Sequence, residues 1–156
     1  MNVSSDGKKI TAPEFPSNAV ESNDNRSNFT LKGEHKRSWT AENPDKHVGL
    51  CLKIDGGLIA STGQNKCDAG LLLDDDRLFL VEFKGKDYKH AAEQLCETKK
   101  YFESEYSSFD FKFRARIVGK SFPKALTSRQ TTIRVLEKNF GKNNYKIFEN
   151  QGKEII

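Results

Sequence analysis

The chain has no long hydrophobic run, and no stretch approaches the ~20 apolar residues that a membrane-spanning helix needs. Its first ten residues are polar and lack the apolar core of a secretory signal. Cysteine is also scarce: the three cysteines are an odd number without CxxC spacing, which argues against a thiolate zinc site and fits a reducing compartment. These absences predict a cytoplasmic protein with no membrane partner.

Hydrophobic residues make up only 35% of the 156 residues, while 31% are charged, so part of the chain is expected to lie outside the core. The net charge of +4 is unevenly distributed. Residues 1–50 are neutral overall, residues 51–110 carry a net charge of −4, and residues 111–156 carry +8. A metal-assisted enzyme acting on a polyanion needs such an acidic centre beside a basic region, although solvated surfaces without partners show the same imbalance.

The first 45 residues lack a sustained hydrophobic period of either 2 or 3.6. They are rich in Ser, Asn, Asp, Glu, Lys and Pro, with only scattered Phe15, Phe29 and Trp39. Such a composition predicts a flexible or extended N-terminal segment over residues 1–45, with residues 29–31 as a candidate short edge strand. Residues 46–156 are predicted to form an α/β domain.

Regular apolar patterns begin at Val48. Alternation, continuous apolar runs, turn signals and an N-cap at Asp87 define the elements of this domain. They are strands over 49–54, 58–60, 67–73 and 77–84, a helix from 87 to about 106, a strand over 111–118, a helix over 128–140 and a strand over 145–148. This order predicts an α/β or α+β fold.

The residues with chemical potential fall on one predicted hairpin. If Leu73 pairs with Arg77 across a turn of three aspartates, Asp68 lies opposite Glu82, and Lys84 projects to the same face. Two adjacent carboxylates repel each other unless a cation lies between them, and Mg²⁺ (or Mn²⁺) suits such ligands. A nearby ammonium can orient a metal-bound water, so this trio favours phosphodiester hydrolysis. The alternative is an Asp–Lys ion pair with Glu82 solvated.

Asp68, thirteen intervening residues and then Glu82-Phe83-Lys84 resemble the signature of the PD-(D/E)XK nuclease superfamily. This superfamily includes many restriction endonucleases, Holliday-junction resolvases and RecB-type nucleases. The resemblance covers roughly residues 50–118 and implies a restriction-endonuclease-like core, in which helices flank a central mixed sheet. It also implies that Asp68 and Glu82 bind Mg²⁺ together with the Phe83 carbonyl. Lys84 would then activate or position the attacking water.

The resemblance also concerns the helix after the motif. Gln94 falls where RecB-like members often carry a glutamine that faces the site, so it is expected to support catalysis. Thr98 stands where those members carry a tyrosine, so the subfamily match is partial. The usual N-terminal helix with an extra acid is not evident. Glu34 and Glu42 are available, and the identity of a further acidic ligand stays open.

Basic residues of the C-terminal third are candidates for contacts with nucleic-acid phosphates, which give salt-sensitive affinity. They begin on one face of the predicted strand over 111–118, where an ordinary charged surface is the alternative interpretation. The seven candidates are Lys112, Arg114, Arg116, Lys120, Lys124, Arg129 and Arg134.

The leading hypothesis is therefore a metal-dependent nuclease, more specifically an endonuclease, with DNA as its expected partner and a homodimer as one way to cut both strands. Two alternatives are a non-catalytic nucleic-acid- or protein-binding module on the same scaffold and an RNase toxin domain. They differ in a measurable way, because only the nucleases cleave a substrate.

Overall fold

The structure is a computed structural model that describes residues 2–61, 63 and 65–156, which form an α+β fold with mixed sheets and two helices. None of the helices in these ranges is long and apolar enough to cross a membrane. The elements are β1 (Asn2–Val3), β2 (Ile10–Ala12), β3 (Val20–Asp24), β4 (Asn28–Lys32), β5 (Ser38–Glu42), β6 (Gly49–Lys53), β7 (Ala69–Leu73), β8 (Arg77–Lys84), α1 (Tyr88–Glu105), β9 (Lys112–Gly119), α2 (Leu126–Phe140), β10 (Tyr145–Glu149) and β11 (Gln151–Ile155).

A six-stranded mixed sheet forms the centre, in the order β10-β9-β8-β7-β6-β3. Strands β6, β7 and β8 are antiparallel neighbours, whereas β8, β9 and β10 run parallel, so β8 and β9 end side by side at Lys84 and Gly119. Successive residues of these strands point to opposite faces, and both faces are buried. The two helices cover one face, and a three-stranded sheet of order β11-β5-β4 covers the other.

Most of the elements expected after residue 48 are present. The bounds of β8 agree with the prediction, and Asp87 caps α1 by accepting a hydrogen bond from the His90 N–H. The strand predicted over 58–60 was wrong, because the backbone there turns back on itself: the Leu58 N–H donates to the Lys53 carbonyl. Strand β11 was not predicted, since its residues are mostly polar and only its pairing with β5 reveals it.

The structure has five strands in the first 45 residues, where the sequence predicts a flexible or extended segment. The predicted edge strand over 29–31 is confirmed as part of β4. Phe29, Leu31, Trp39 and Ala41 alternate with exposed or half-buried residues, and they pack on the central sheet. Such short amphipathic strands gain their stability from burial against other parts of the chain, which the hydrophobic periodicity of the local sequence does not reveal.

The face of β9 that was predicted as a basic outer surface is buried at Arg116, where Glu154 of the smaller sheet covers it. Arg116 is only 4% exposed, and its guanidinium lies 5.0 Å from the centre of the Phe79 ring. Two of its nitrogens donate to the Glu154 carboxylate at 2.6 and 2.9 Å. The assignment of Arg116 to a nucleic-acid surface was therefore wrong: the alternation was correct, but from Ala115 to Gly119 both faces of this strand are buried.

Candidate metal centre at the end of the β7–β8 hairpin

The predicted hairpin register is confirmed. Ala69 pairs with Val81 and Gly70 with Leu80, which sets Asp68 opposite Glu82 just beyond the last ladder pair. Strand β8 continues past the start of β7, so the Asp68–Glu82 pair lies where the sheet opens.

The turn at the other end of the hairpin helps to hold this register. Asp74 accepts hydrogen bonds from the Val48 N–H at 2.9 Å and from His47 Nδ1 at 2.8 Å, so the acidic turn is tied to the start of β6. Asp76 adopts a left-handed backbone conformation with φ of 74°, which aspartate tolerates better than most residues. Because a slip of one residue would invert every side chain of the hairpin, these contacts indirectly fix the Asp68–Glu82 pair.

Two reciprocal backbone bonds orient the carboxyl groups toward each other. The Asp68 N–H donates to Glu82 Oε1 at 3.1 Å, and the Phe83 N–H donates to Asp68 Oδ2 at 2.8 Å. Lys84 Nζ lies 3.3 Å from Glu82 Oε2. The structure thus brings Asp68, Glu82 and Lys84 together, and the alternative with a solvated Glu82 was wrong because Glu82 is only 2% exposed.

Burial is the main cause that raises the pKa of Glu82, to about 9, and the adjacent Asp68 carboxyl raises it further. The Lys84 ammonium opposes this shift without cancelling it. With this raised pKa, Glu82 holds its proton at neutral pH. A divalent cation in the same place would neutralise both carboxylates, so the electrostatics of this site fit a cation as a replacement for that proton.

The donor set also fits Mg²⁺, which takes one or two carboxylates and keeps several waters. Asp68 and Glu82 supply the carboxylates. The Phe83 N–H points to Asp68, and the carbonyl of a strand residue lies on the same edge as its N–H, so this carbonyl is a reasonable third ligand. No group of three His, Cys, Asp or Glu side chains in the described ranges is arranged to hold a metal. The other coordination positions of the metal ion would therefore be filled by backbone oxygen, water or substrate.

The trio lies in a cavity of about 670 Å³ between the end of β8 and the tip of the β4–β5 hairpin. Acidic and basic residues from outside the β7–β8 hairpin also line it. They are Glu21, Lys32, Glu34, His35, Arg37, Lys53 and Asp55. Of the two acids left open above, Glu34 lies at this cavity, whereas Glu42 pairs with Lys153 on the small sheet. Only the tertiary approach of β3, the β4–β5 hairpin and the loop after β6 reveals this set.

Helix α1 supports the segment that leads into Asp68. Gln94 lines the cavity and donates from Nε2 to the Lys66 carbonyl at 3.1 Å. Its Oε1 is buried and has no hydrogen-bond partner among the described residues. The Thr98 hydroxyl accepts from the Cys67 N–H at 2.8 Å and donates to the Gln94 carbonyl. Gln94 and Thr98 therefore position the backbone immediately before the acidic pair.

The remaining basic candidates do not form one surface at this site. Lys112 and Arg114 lie at the start of β9, which is roughly 20 Å from its end at a rise of about 3.3 Å per residue. The Lys120 N–H donates to the Gly85 carbonyl, so Lys120 follows β9 close to the trio. Further along, Arg129 lies over the Phe122 ring at 4.9 Å. Two further candidates, Lys124 and Arg134, are exposed.

The raised pKa of Glu82 predicts a pH-dependent stability. Between pH 4.5 and about 9 the folded protein holds a proton on Glu82 that the unfolded chain has released. The free energy of unfolding should therefore fall as the pH rises through this window, by up to about 1.4 kcal/mol per pH unit. The variant Glu82→Gln removes this dependence. Denaturant unfolding at about pH 5 and about pH 8 should show Glu82→Gln gaining stability over the wild type at the higher pH.

The matched control for this experiment is Glu105→Gln, which changes an exposed glutamate at the end of α1. It should retain the wild-type slope of stability against pH. A Glu82→Gln variant with that same slope would contradict the assignment of the buried proton to Glu82.

Comparisons with protein families, with curated proteins and with solved structures gave no match to this chain. The residues and geometry of the site are therefore the basis for assigning a function to it.

Proposed function

We propose that the chain is a metal-dependent nuclease of the PD-(D/E)XK kind, which hydrolyses phosphodiester bonds in DNA. One observation carries this proposal: Glu82 is buried against Asp68, with Lys84 Nζ 3.3 Å from Glu82 Oε2, at a cavity. Burying a carboxylate next to a second carboxylate costs stability unless a cation compensates them. A protein that retains such a pair at a cavity has a reason to bind a cation there.

Each residue of the site has a role in this proposal. Asp68, Glu82 and the Phe83 carbonyl would hold Mg²⁺ or Mn²⁺, which supplies charge stabilisation and lowers the pKa of a bound water. Lys84 would position the attacking water and stabilise negative charge on the phosphate. Gln94 would keep the backbone before Asp68 in place through its hydrogen bond to Lys66.

The arrangement of elements supports the same proposal. The hairpin β7–β8, the helix α1 and the parallel strand β9 follow one another, and we propose that they are the restriction-endonuclease-like core. Ligands of open α/β sheets commonly bind beyond the carboxyl ends of parallel strands. The cavity includes Lys84 and Gly85 at the carboxyl end of β8.

The test is incubation of the purified chain with plasmid DNA, linear single-stranded DNA and total RNA, each with Mg²⁺, Mn²⁺ or EDTA. We expect cleavage of DNA with either metal and none with EDTA. Cleavage of RNA alone would favour the RNase alternative, and binding without cleavage would favour the non-catalytic module. Equal cleavage in EDTA would contradict the proposal, because a metal bound by Asp68 and Glu82 would then have no part in the reaction.

A further inference from the structure

Arg37 places a cation on an inward row of the β4–β5 hairpin that is otherwise apolar. Trp39 and Ala41 occupy alternate positions of β5 and are fully buried against the central sheet. Arg37 precedes Trp39 by two residues, so it continues the same row. Across the hairpin it lies beside Gly33, whose N–H donates to the Arg37 carbonyl at 2.9 Å. The row therefore directs Arg37 toward the space between the hairpin and the central sheet.

The Arg37 guanidinium has no anionic partner in the described part of the chain. Its Nε is buried without a hydrogen bond, and it takes part in none of the ion pairs between described residues. Arg116 differs, because Glu154 binds it through two nitrogens. A partly buried cation without a partner destabilises the fold, so a ligand is a physical reason for its position.

The hairpin brings Arg37 to the cavity that contains the acidic pair. A Cβ atom at Gly33 would lie 2.3 Å from Cγ of Phe83, so the hairpin packs on the Phe83 side chain, on the face of β8 opposite to Glu82 and Lys84. His35 and Lys36 form the tip with φ values of 54° and 60°. Arg37 then lines the same cavity as Asp68, Glu82 and Lys84.

We propose that Arg37 binds a phosphate group of the nucleic-acid strand in this cavity, next to the phosphate that would be cleaved at Asp68 and Glu82. The identity of the strand depends on the proposed function, whereas the binding of an anion at Arg37 does not. A guanidinium presents two parallel N–H donors that match two phosphate oxygens, so one contact both neutralises Arg37 and fixes the strand.

The test compares Arg37→Met with Lys36→Met in binding a short fluorescent single strand of DNA, in EDTA and over a range of NaCl concentrations. We expect Arg37→Met to bind about tenfold more weakly, the loss of one charged phosphate contact. The slope of the logarithm of the binding constant against the logarithm of the salt concentration should become less steep by about 0.7, the value for one phosphate contact on a single strand. Lys36→Met removes an equal charge from an exposed residue outside the cavity lining, and should keep the wild-type slope.

Thermal unfolding gives an independent readout. Because Arg37→Met removes an unpartnered cation, the variant should melt at the wild-type temperature or above it. In the DNA-binding assay, Arg37→Lys keeps the positive charge and should therefore retain the wild-type salt dependence. Lower stability of Arg37→Met with unchanged binding would show a structural role and overturn the inference.

The two proposals can fail separately. Normal DNA binding by Arg37→Met in a protein that cleaves DNA would overturn the role of Arg37 and leave the nuclease assignment intact. Loss of binding in Arg37→Met, in a protein that cleaves no substrate, would support the anion site and overturn the nuclease assignment.

Discussion

Asp68→Asn and Lys84→Met are each expected to reduce Mg²⁺-dependent DNA cleavage by a factor on the order of 10²–10³ or more, as the loss of a single group that stabilises developing charge commonly does. Asp68→Asn retains an oxygen that can accept from the Phe83 N–H, so the hairpin should keep its register. Lys84→Met retains the length of the side chain but removes the ammonium beside Glu82. Both effects should appear in the rate of cleavage under conditions in which circular dichroism shows the wild-type fold.

Calorimetric titration with Mn²⁺ separates the two roles. Asp68→Asn should lose metal binding because it removes a carboxylate ligand, whereas Lys84→Met should still bind Mn²⁺ but cleave slowly. Asp75→Asn and Lys86→Met are the matched controls, since Asp75 lies at the far turn of the hairpin and Lys86 is exposed outside the cavity lining. Full activity in either site variant would refute the assignment of that residue.

The geometry of the acidic pair was predictable because it depends on local chain properties. A turn of three residues joins two apolar runs, and the period of two in strands then determines which residues face each other. The ladder has the expected register, so Asp68 and Glu82 meet as the sequence predicted. Helix α1 was predictable for a similar reason, since a capping aspartate precedes a run of apolar residues at helical spacing.

The other side of the cavity was not predictable, because it depends on contacts between distant parts of the chain. Glu21, Arg37 and Asp55 belong to β3, the hairpin tip and the loop after β6, and no common motif relates them. Strands β4 and β5 are only five residues each, and their polar neighbours give the segment the composition of a flexible region. Only the apolar surface of the central sheet, which these strands bury, explains why they are ordered.

Arg116 shows a different limit of sequence reasoning. The alternation of residues in β9 correctly places Arg116 on the face opposite to Ala115 and Ile117, but it does not show which face meets solvent. The covering strand β11 contains Glu154, more than thirty residues later, and its acidic side chain is what makes the burial of Arg116 tolerable. A basic strand face is therefore a weak indicator of a nucleic-acid surface when an acidic residue distant in sequence can pair with it in the folded protein.

Glu154→Ala is expected to lower the free energy of unfolding by about 3–5 kcal/mol, because it breaks a buried ion pair and leaves one charge without a partner. Glu154 accepts two hydrogen bonds from Arg116 and another from Trp39 Nε1 at 2.8 Å. The side chains of Arg116 and Glu154 are only 5% and 8% exposed, so water cannot replace the lost carboxylate. Equilibrium unfolding in urea measures this difference, provided that the variant and the wild type have the same m-value.

The matched control is Lys153→Ala, on the same strand, whose ion pair with Glu42 involves side chains that are 70% and 37% exposed. It should change the stability by less than about 1 kcal/mol, as exposed ion pairs do. Replacing both members of the buried pair, as Arg116→Met with Glu154→Leu, should recover most of the loss, because no unpaired charge then remains. An effect of Glu154→Ala no larger than that of Lys153→Ala would contradict the view that this pair holds β11 and the smaller sheet on the core.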